Sequence, residues 1–212
     1  VRAASKRGIR HLTVFAFSSE NWKRPAEEVS GLMGLLLMAL SKHLDQLKDE
    51  GVRFRVAGDL NQVSEEVRAA LLEAQATSGA NEKLVFTVAF NYGGRWDIVQ
   101  ACQRAIAAGV APEALDEATL SRFMTMSYAP DPDLVIRTGG EIRLSNFLLW
   151  QSAYAELYFT ECLWPDFDAA ELDRAIASFV QRERRFGDVG ASGAGEGAVG
   201  GLDDVLAAQQ EN

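Results

Sequence analysis

Short, continuous apolar runs separated by helix-forming segments constrain this chain more than any other feature. Residues 11–17 (HLTVFAF), 53–57 (RFRVA), 84–90 (LVFTVAF) and 134–137 (LVIR) read as strands, with a last one at 157–160. The longer runs are apolar almost throughout rather than at every second position, so both of their faces must be covered. Segments 29–50, 62–77, 96–107, 117–126 and 169–185 carry the helix formers that would cover them, and a further short helix is expected at 146–152. The implied fold is α/β, with a mostly parallel central sheet flanked by helices. Open sheets of this kind bind ligands just beyond the carboxyl ends of their strands. The strand ends are therefore where chemistry is expected.

The chain has 212 residues, 48% of them hydrophobic and 24% charged, which suffices for one domain with its own core. Residues 187–201 (GDVGASGAGEGAVGG) hold seven glycines and read as part of a flexible tail, 187–212, with a short terminal helix at 202–210. Residues 1–186 then make a single domain. No apolar stretch approaches the roughly 18 residues of a membrane span, and no signal peptide is visible. The chain begins at Val1, already inside what reads as a helix, so a preceding segment is expected to be missing.

Cys102 and Cys162 are too few for a disulfide framework and, with only His11 and His43 beside them, for a zinc site. That points to a reduced, cytoplasmic setting. The net charge is −9, and five acidic residues with no accompanying base lie beyond Arg185, leaving −4 on the body. The absence of a basic stripe argues against nucleic acid as a partner. Arginines nonetheless number sixteen against five lysines, and arginine suits fixed, bidentate contacts to phosphate.

After the first strand, Ser18-Ser19-Glu20-Asn21-Trp22-Lys23-Arg24-Pro25 offers hydroxyls, an amide, two cations and an indole, though Ser and Asn are also ordinary at a helix entry. After the third, Asn91-Tyr92-Gly93-Gly94-Arg95-Trp96-Asp97 pairs glycines that permit either a close approach to a ligand or a plain tight turn. After the fourth, Arg137 and Arg143 flank Gly139-Gly140, and Ser145 and Asn146 stand where a helix is expected to begin. The free N–H groups and positive dipole of a helix start would join the two arginines in an anion site. Pairing with surface carboxylates is the plainer use of such arginines, but strand end, turn, cations and helix start coincide here. Glu156 follows in an apolar stretch, where a carboxylate needs a salt bridge or a metal ion.

With two histidines, at the start of a strand and on a helix, no Ser/His/Asp triad can be assembled. An anion site without a nucleophile or base suits a reaction in which a diphosphate itself leaves, with Mg²⁺ held by a carboxylate or two and by phosphate oxygens. On segment 29–50, Val29, Leu32, Met33, Leu36, Leu40, Leu44 and Leu47 make one apolar stripe, which Leu35, Leu37 and Met38 widen. This helix is either buried on most sides, or it packs on the sheet and lines an apolar channel as well. A diphosphate site beside an apolar channel describes an isoprenoid diphosphate.

FAFSSENWKRP (15–25), Gly58-Asp59, NYGGRWDIVQA (91–101), DLVIRTGGEIRLSNFLLWQSAYAELYFTECLWPDF (133–167) and RRFG (184–187) resemble, in order, the motifs of the undecaprenyl diphosphate synthases, a bacterial cis-prenyltransferase family. The resemblance spans residues 1–187. It implies a non-Rossmann α/β fold with a hydrophobic tunnel, a homodimer, and Mg²⁺-dependent addition of isopentenyl diphosphate to farnesyl diphosphate with cis double bonds. The product implied is undecaprenyl diphosphate, the lipid carrier precursor for cell-wall synthesis, with a peripheral membrane contact for its release. By the same resemblance Arg137, Arg143 and Ser145 hold the isopentenyl diphosphate, and Ser18 and Asn21 are catalytic-site polar residues. Arg24 lies near the allylic diphosphate and Trp22 packs on the allylic substrate. Glu156 helps hold Mg²⁺ from the neighbouring subunit, and Leu84 lies near the closed end of the tunnel. The family's opening Asp-Gly-Asn-Gly-Arg-Trp motif, with its metal-binding Asp, does not occur in this sequence. A chain truly starting at Val1 is expected to be nearly inactive. A phosphate-ester hydrolase and a non-catalytic partner subunit remain as alternatives.

Overall fold

The computed structural model describes residues 1–181. β1 (His11–Ser18), β2 (Val52–Ala57) and β3 (Leu84–Tyr92) form one parallel sheet in the order β1-β3-β2. β4 (Leu134–Arg137) and β5 (Glu156–Phe159) form a second, two-stranded parallel unit. Every pairing is parallel, as the continuous apolar runs require. Among the described residues the hydrogen-bonded ladder is divided in two rather than continuous.

Among the described residues six α-helices surround the strands: α1 (Arg2–Lys6), α2 (Ala26–Asp49), α3 (Glu65–Thr77), α4 (Gly94–Ala107), α5 (Glu117–Phe123) and α6 (Ala169–Val180). Their starts follow local chemistry. The N–H groups of Val67, Thr119 and Glu171 donate to the side chains of Ser64, Asp116 and Asp168, which cap α3, α5 and α6. The Ser64 cap is why α3 begins three residues later than the run of helix formers suggests. The expected end of α6 at 185 and the tail beyond it lie outside the described residues. No described helix is long and apolar enough to cross a membrane.

On one face of the sheet, Phe17, Phe54, Phe90, Val67 and Leu71 make the main core, against which the α2 stripe of Val29, Leu32, Met33, Leu36, Leu37, Leu40 and Leu44 packs. Leu35 and Met38, which widen the stripe, instead face outward, 61% and 64% exposed. On the other face Ala57, Ala89 and Tyr92 pack with Met126, Leu148, Phe15 and Phe147. Side chains two apart on a strand should share a face. Yet Phe15 and Phe17 lie on opposite faces, and so do Phe90 and Tyr92. A register shift between Phe15 and Phe17 breaks β1, and Asn91, at φ 49°, breaks β3. Both breaks fall at the carboxyl ends of neighbouring strands, where the backbone turns from core to loop.

The short helix expected at 146–152 does not form; that stretch is a series of turns. Ser145, Asn146 and Leu148 have φ of 48°, 63° and 43°, which a right-handed helix excludes. No helix dipole therefore reaches Ser145. Each such residue costs about 1–3 kcal/mol and persists only where its surroundings hold it.

Candidate active site

Segments from the carboxyl ends of β1, β2, β3 and β4 meet here. After β1 the backbone N–H of Ser18 donates to Asn21 Oδ1 (2.8 Å), which closes a tight 3-10 turn over Ser19–Lys23. That turn presents Trp22, whose ring packs edge-on against Phe17 with centroids 5.1 Å apart. The indole Nε1 donates to Asn91 Oδ1 (2.8 Å). Asn91 Nδ2 donates in turn to the carbonyl of Asp59 (2.7 Å), and Asp59 N–H donates to the carbonyl of Asn91 (3.1 Å). Asn91 thus ties the ends of β1, β2 and β3 together from a left-handed backbone conformation that asparagine tolerates well. Arg24 pairs with Glu28 one turn into α2 (2.6 Å). Both side chains are about half exposed, so an incoming anion could draw the guanidinium away at little cost.

After β4, Gly139 and Gly140 adopt φ of 84° and 72°. Their N–H groups donate to the carbonyls of Cys162 and Thr160 (2.9 Å each), which folds the arginine loop back over the end of β5. Arg137 ends β4 half-buried, whereas Arg143 is largely exposed and ion-paired with Glu141. Ser145 is exposed beside it. The three expected diphosphate residues therefore share one loop, and its cations rather than a helix dipole supply the positive field.

Asn146 fastens this loop to the others. Its Nδ2 donates to Glu20 Oε1 (2.7 Å), while its Oδ1 and carbonyl accept the N–H groups of Arg95 (2.9 Å) and Gly94 (2.7 Å). Burial pushes the Glu20 carboxyl up. Hydrogen bonds from Asn146, its own backbone N–H, Ser18 and Ser19 outweigh this and leave it below the usual range. The other end of the segment is held by Gln151, whose Nε2 donates to the fully buried Asp97 (3.2 Å). Asp97 also accepts from the Tyr92 hydroxyl (2.9 Å) and the Thr125 N–H (2.9 Å). Burial, then the charge and hydrogen bond of Asp97, drive the Tyr92 hydroxyl far above its ordinary value.

Glu156 lies apart. It pairs with Leu134 at the amino end of β4, while Arg137 pairs with Phe159 at the carboxyl end. Three residues of strand separate them, about 10 Å. Within one chain the structure does not bring Glu156 to the arginine loop. Among the described residues no group of three or more His, Cys, Asp or Glu side chains is placed to hold a metal ion. Leu84, fully buried with Ala4 and Val52, stands at the far end of β3, about 26 Å from Tyr92 along the strand. Glu20, Asn91 and Asn146 lie in the strand-end segments that the sequence pointed to, but it assigned none of them a role of its own. The signal available was two asparagines, each beside a strand-end turn, and asparagine is the residue that most readily enters the left-handed region after glycine.

The prenyltransferase family model described as "Putative undecaprenyl diphosphate synthase" matches residues 1–187. An isoprenyl transferase of Ralstonia nicotianae is 56% identical over 193 residues, 90% of this chain and 75% of that protein. A ditrans,polycis-undecaprenyl-diphosphate synthase, (2E,6E)-farnesyl-diphosphate specific, of Vibrio vulnificus is 48% identical over 194 residues, 90% of this chain and 77% of that protein. Among solved structures, a "probable undecaprenyl diphosphate synthase" from Campylobacter jejuni superposes with a TM-score of 0.82 at 36% identity, covering 88% of each chain. Lavandulyl diphosphate synthase from Lavandula x intermedia, in complex with dimethylallyl diphosphate, gives 0.84 at 38% identity, covering 88% of this chain and 83% of that one. The parallel strands, the arginine loop and these matches agree: the chain belongs to the undecaprenyl diphosphate synthase family of prenyltransferases.

Proposed function

We propose that this prenyltransferase adds isopentenyl diphosphate repeatedly to farnesyl diphosphate, with cis double bonds, and so makes undecaprenyl diphosphate for use as a cell-wall lipid carrier. The observation that carries the reading is the joining, through Asn146, of the arginine loop after β4 to the polar turn after β1. Two anionic substrates can then be held side by side. Arg137, Arg143 and Ser145 clamp the isopentenyl diphosphate and aim its alkene. Ser18 and Asn21 are the catalytic-site polar residues near the condensing groups, Arg24 faces the allylic diphosphate, and Trp22 packs on the allylic chain. The allylic C–O bond breaks with its electron pair leaving on diphosphate, the alkene donates its pair to that carbon, and a proton is lost. Fixed cations and donors that await this charge are the main source of rate, together with alignment of the reacting carbons.

Mg²⁺ is the proposed metal; Glu156 of a second copy and phosphate oxygens would hold it, and it would neutralise charge on the diphosphate. Support for a homodimer comes from Ile142, Tyr154, Leu163 and Trp164, large apolar residues left exposed around β4 and β5. Residues 1–186 act as one catalytic domain whose elongating chain runs from the site toward Leu84. We place the protein in the cytoplasm, with a peripheral membrane contact at product release; its two free cysteines accord with a reducing setting. Incubating the full-length protein with farnesyl diphosphate, labelled isopentenyl diphosphate and Mg²⁺, then sizing the product, tests the proposal. Polyprenyl diphosphates longer than the primer are expected, and their absence sinks it.

A further inference from the structure

Asn146 does more than fill a turn. Gly94 and Arg95 are the first two residues of α4, so their N–H groups have no partner within the helix. Both are met by Asn146, a residue about fifty positions away in sequence, rather than by a local cap. The one remaining side-chain atom, Nδ2, holds Glu20 in the turn after β1. At Gly93 the approach is so close that a Cβ would sit 2.7 Å from Ser19 Oγ and 2.8 Å from Asn146 Nδ2. Side chains from both neighbouring loops have filled that space. All of this is done at φ 63°, next to Ser145 at φ 48°.

We propose that Asn146 is a positioning residue that sets Ser145 and Arg143 at a fixed distance from the Ser18–Asn21 turn, by capping α4 and clasping Glu20. The inference rests on reading Arg143 and Ser145 as the isopentenyl diphosphate clamp. When the clasp opens, the turn over Ser145 and Asn146 keeps only its Phe147 N–H to Leu144 carbonyl bond (3.1 Å), and with its ties to α4 and Glu20 gone the Ser145 hydroxyl and Arg143 guanidinium shift away from the ligand. The β1 turn keeps its own closure through Ser18 and Asn21, so the allylic half is spared. A purely structural asparagine would lower stability and leave both substrates alike.

The test uses the full-length enzyme with KM determined separately for the two substrates. Asn146→Asp keeps an acceptor for the Arg95 N–H but sets a carboxylate against Glu20. Its kcat/KM for isopentenyl diphosphate should fall about 10²-fold, as for a misplaced substrate, through KM, with KM for farnesyl diphosphate within about two-fold of wild type. Adding Glu20→Gln restores the contact with donor and acceptor exchanged and should recover about ten-fold. Asn146→Gly, which adopts φ 63° without strain and loses both side-chain bonds, shows the same KM split and serves if the aspartate variant fails to fold. Equal changes in both KM values, no rescue in the double variant, or a wild-type Asn146→Gly each overturn the proposal. Arg143→Ala separates the two levels. If it leaves isopentenyl diphosphate use unchanged, the clamp itself is misassigned and the inference falls with it. If it impairs that use while the Asn146 variants do not, only the positioning role is lost.

Discussion

The two halves of the sheet are built on different terms. In the three-stranded half, strands of six to nine residues carry Phe17, Phe54, Val52, Leu84, Val88 and Phe90 into buried positions, and α2 and α3 seal one face. In the two-stranded half each strand has four residues, and Val135 alone of these eight is buried. Apart from Phe147 and Leu148, which pack against Phe15 and Tyr92, its loops are held by polar ties: Gly139 and Gly140 to the end of β5, Asn146 to α4 and Glu20, and Gln151 to Asp97. One half is stable by burial and contributes a platform. The other holds its cations in the open at the expense of backbone strain, as the proposed site for two diphosphates would require, since apolar packing would close it.

That contrast breaks first at Leu71. Its side chain is fully buried between α3 and the sheet, and Leu71→Ala should cost about 2–5 kcal/mol of stability. Urea unfolding should show a lower midpoint with an unchanged slope, and KM for isopentenyl diphosphate should stay at the wild-type value. Arg137→Ala should do the reverse. Kcat/KM for isopentenyl diphosphate should drop about 10²–10³-fold, while the unfolding midpoint hardly moves. If Arg137→Ala unfolds the protein and Leu71→Ala raises KM, the division of labour is wrong.

The same division decided what the sequence could reveal. Burial writes itself into a sequence as apolar runs, and β1, β2, β3, α2 and α4 stand within a few residues of where those runs place them. The arginine loop was found because cations beside a glycine pair at a strand end are visible one residue at a time. Its backbone was not. Ser145-Asn146-Phe147-Leu148 has the composition of a helix start, but Ser145 and Asn146 are left-handed inside a turn closed by Phe147 N–H to the Leu144 carbonyl, and Asn146 is held there by residues far away in sequence. No local pattern carries a partner fifty or more positions distant. Nor could periodicity show that Leu35 and Met38 face outward, because a stripe widened for solvent reads the same as one widened for a channel.

Exposed apolar residues sharpen the contrast at the next level. Ile142, on the loop after β4, and Trp164, which begins a 3-10 turn (Trp164–Asp166) after β5, are 79% and 64% exposed. In the proposed dimer they are buried, and a central tryptophan in such a contact contributes about 2 kcal/mol or more. Trp164→Ser should shift sedimentation toward monomer at micromolar concentration and barely change the unfolding midpoint of the monomer. Unaltered self-association would remove this face from the interface.

The smallest effect is the response to acid, and it separates the halves by pH window. His11 at the start of β1 is held below its ordinary value by burial and then by Arg10. Folding therefore disfavours its protonation, and stability starts to fall as pH drops through about 6.5. In α6, Arg174 and then Thr160 hold the Glu171 carboxyl below the usual range, and a hydrogen bond from Arg7 does the same for Asp173. Glu171 also accepts from the Tyr158 hydroxyl (3.2 Å), so these two carboxylates fasten α6 to β5 and to α1. Their folded values lie below the unfolded ones, so their contribution is present above about pH 4 and is lost as pH falls through the folded values. Amide exchange should thus quicken in α6 below about pH 4 before it does in α3. The shallow loss of stability that begins below about pH 6.5 should vanish in His11→Gln and leave the α6 step intact. If α3 opens first, the half held by polar ties is not the weaker one, because acid removes ties and leaves burial in place.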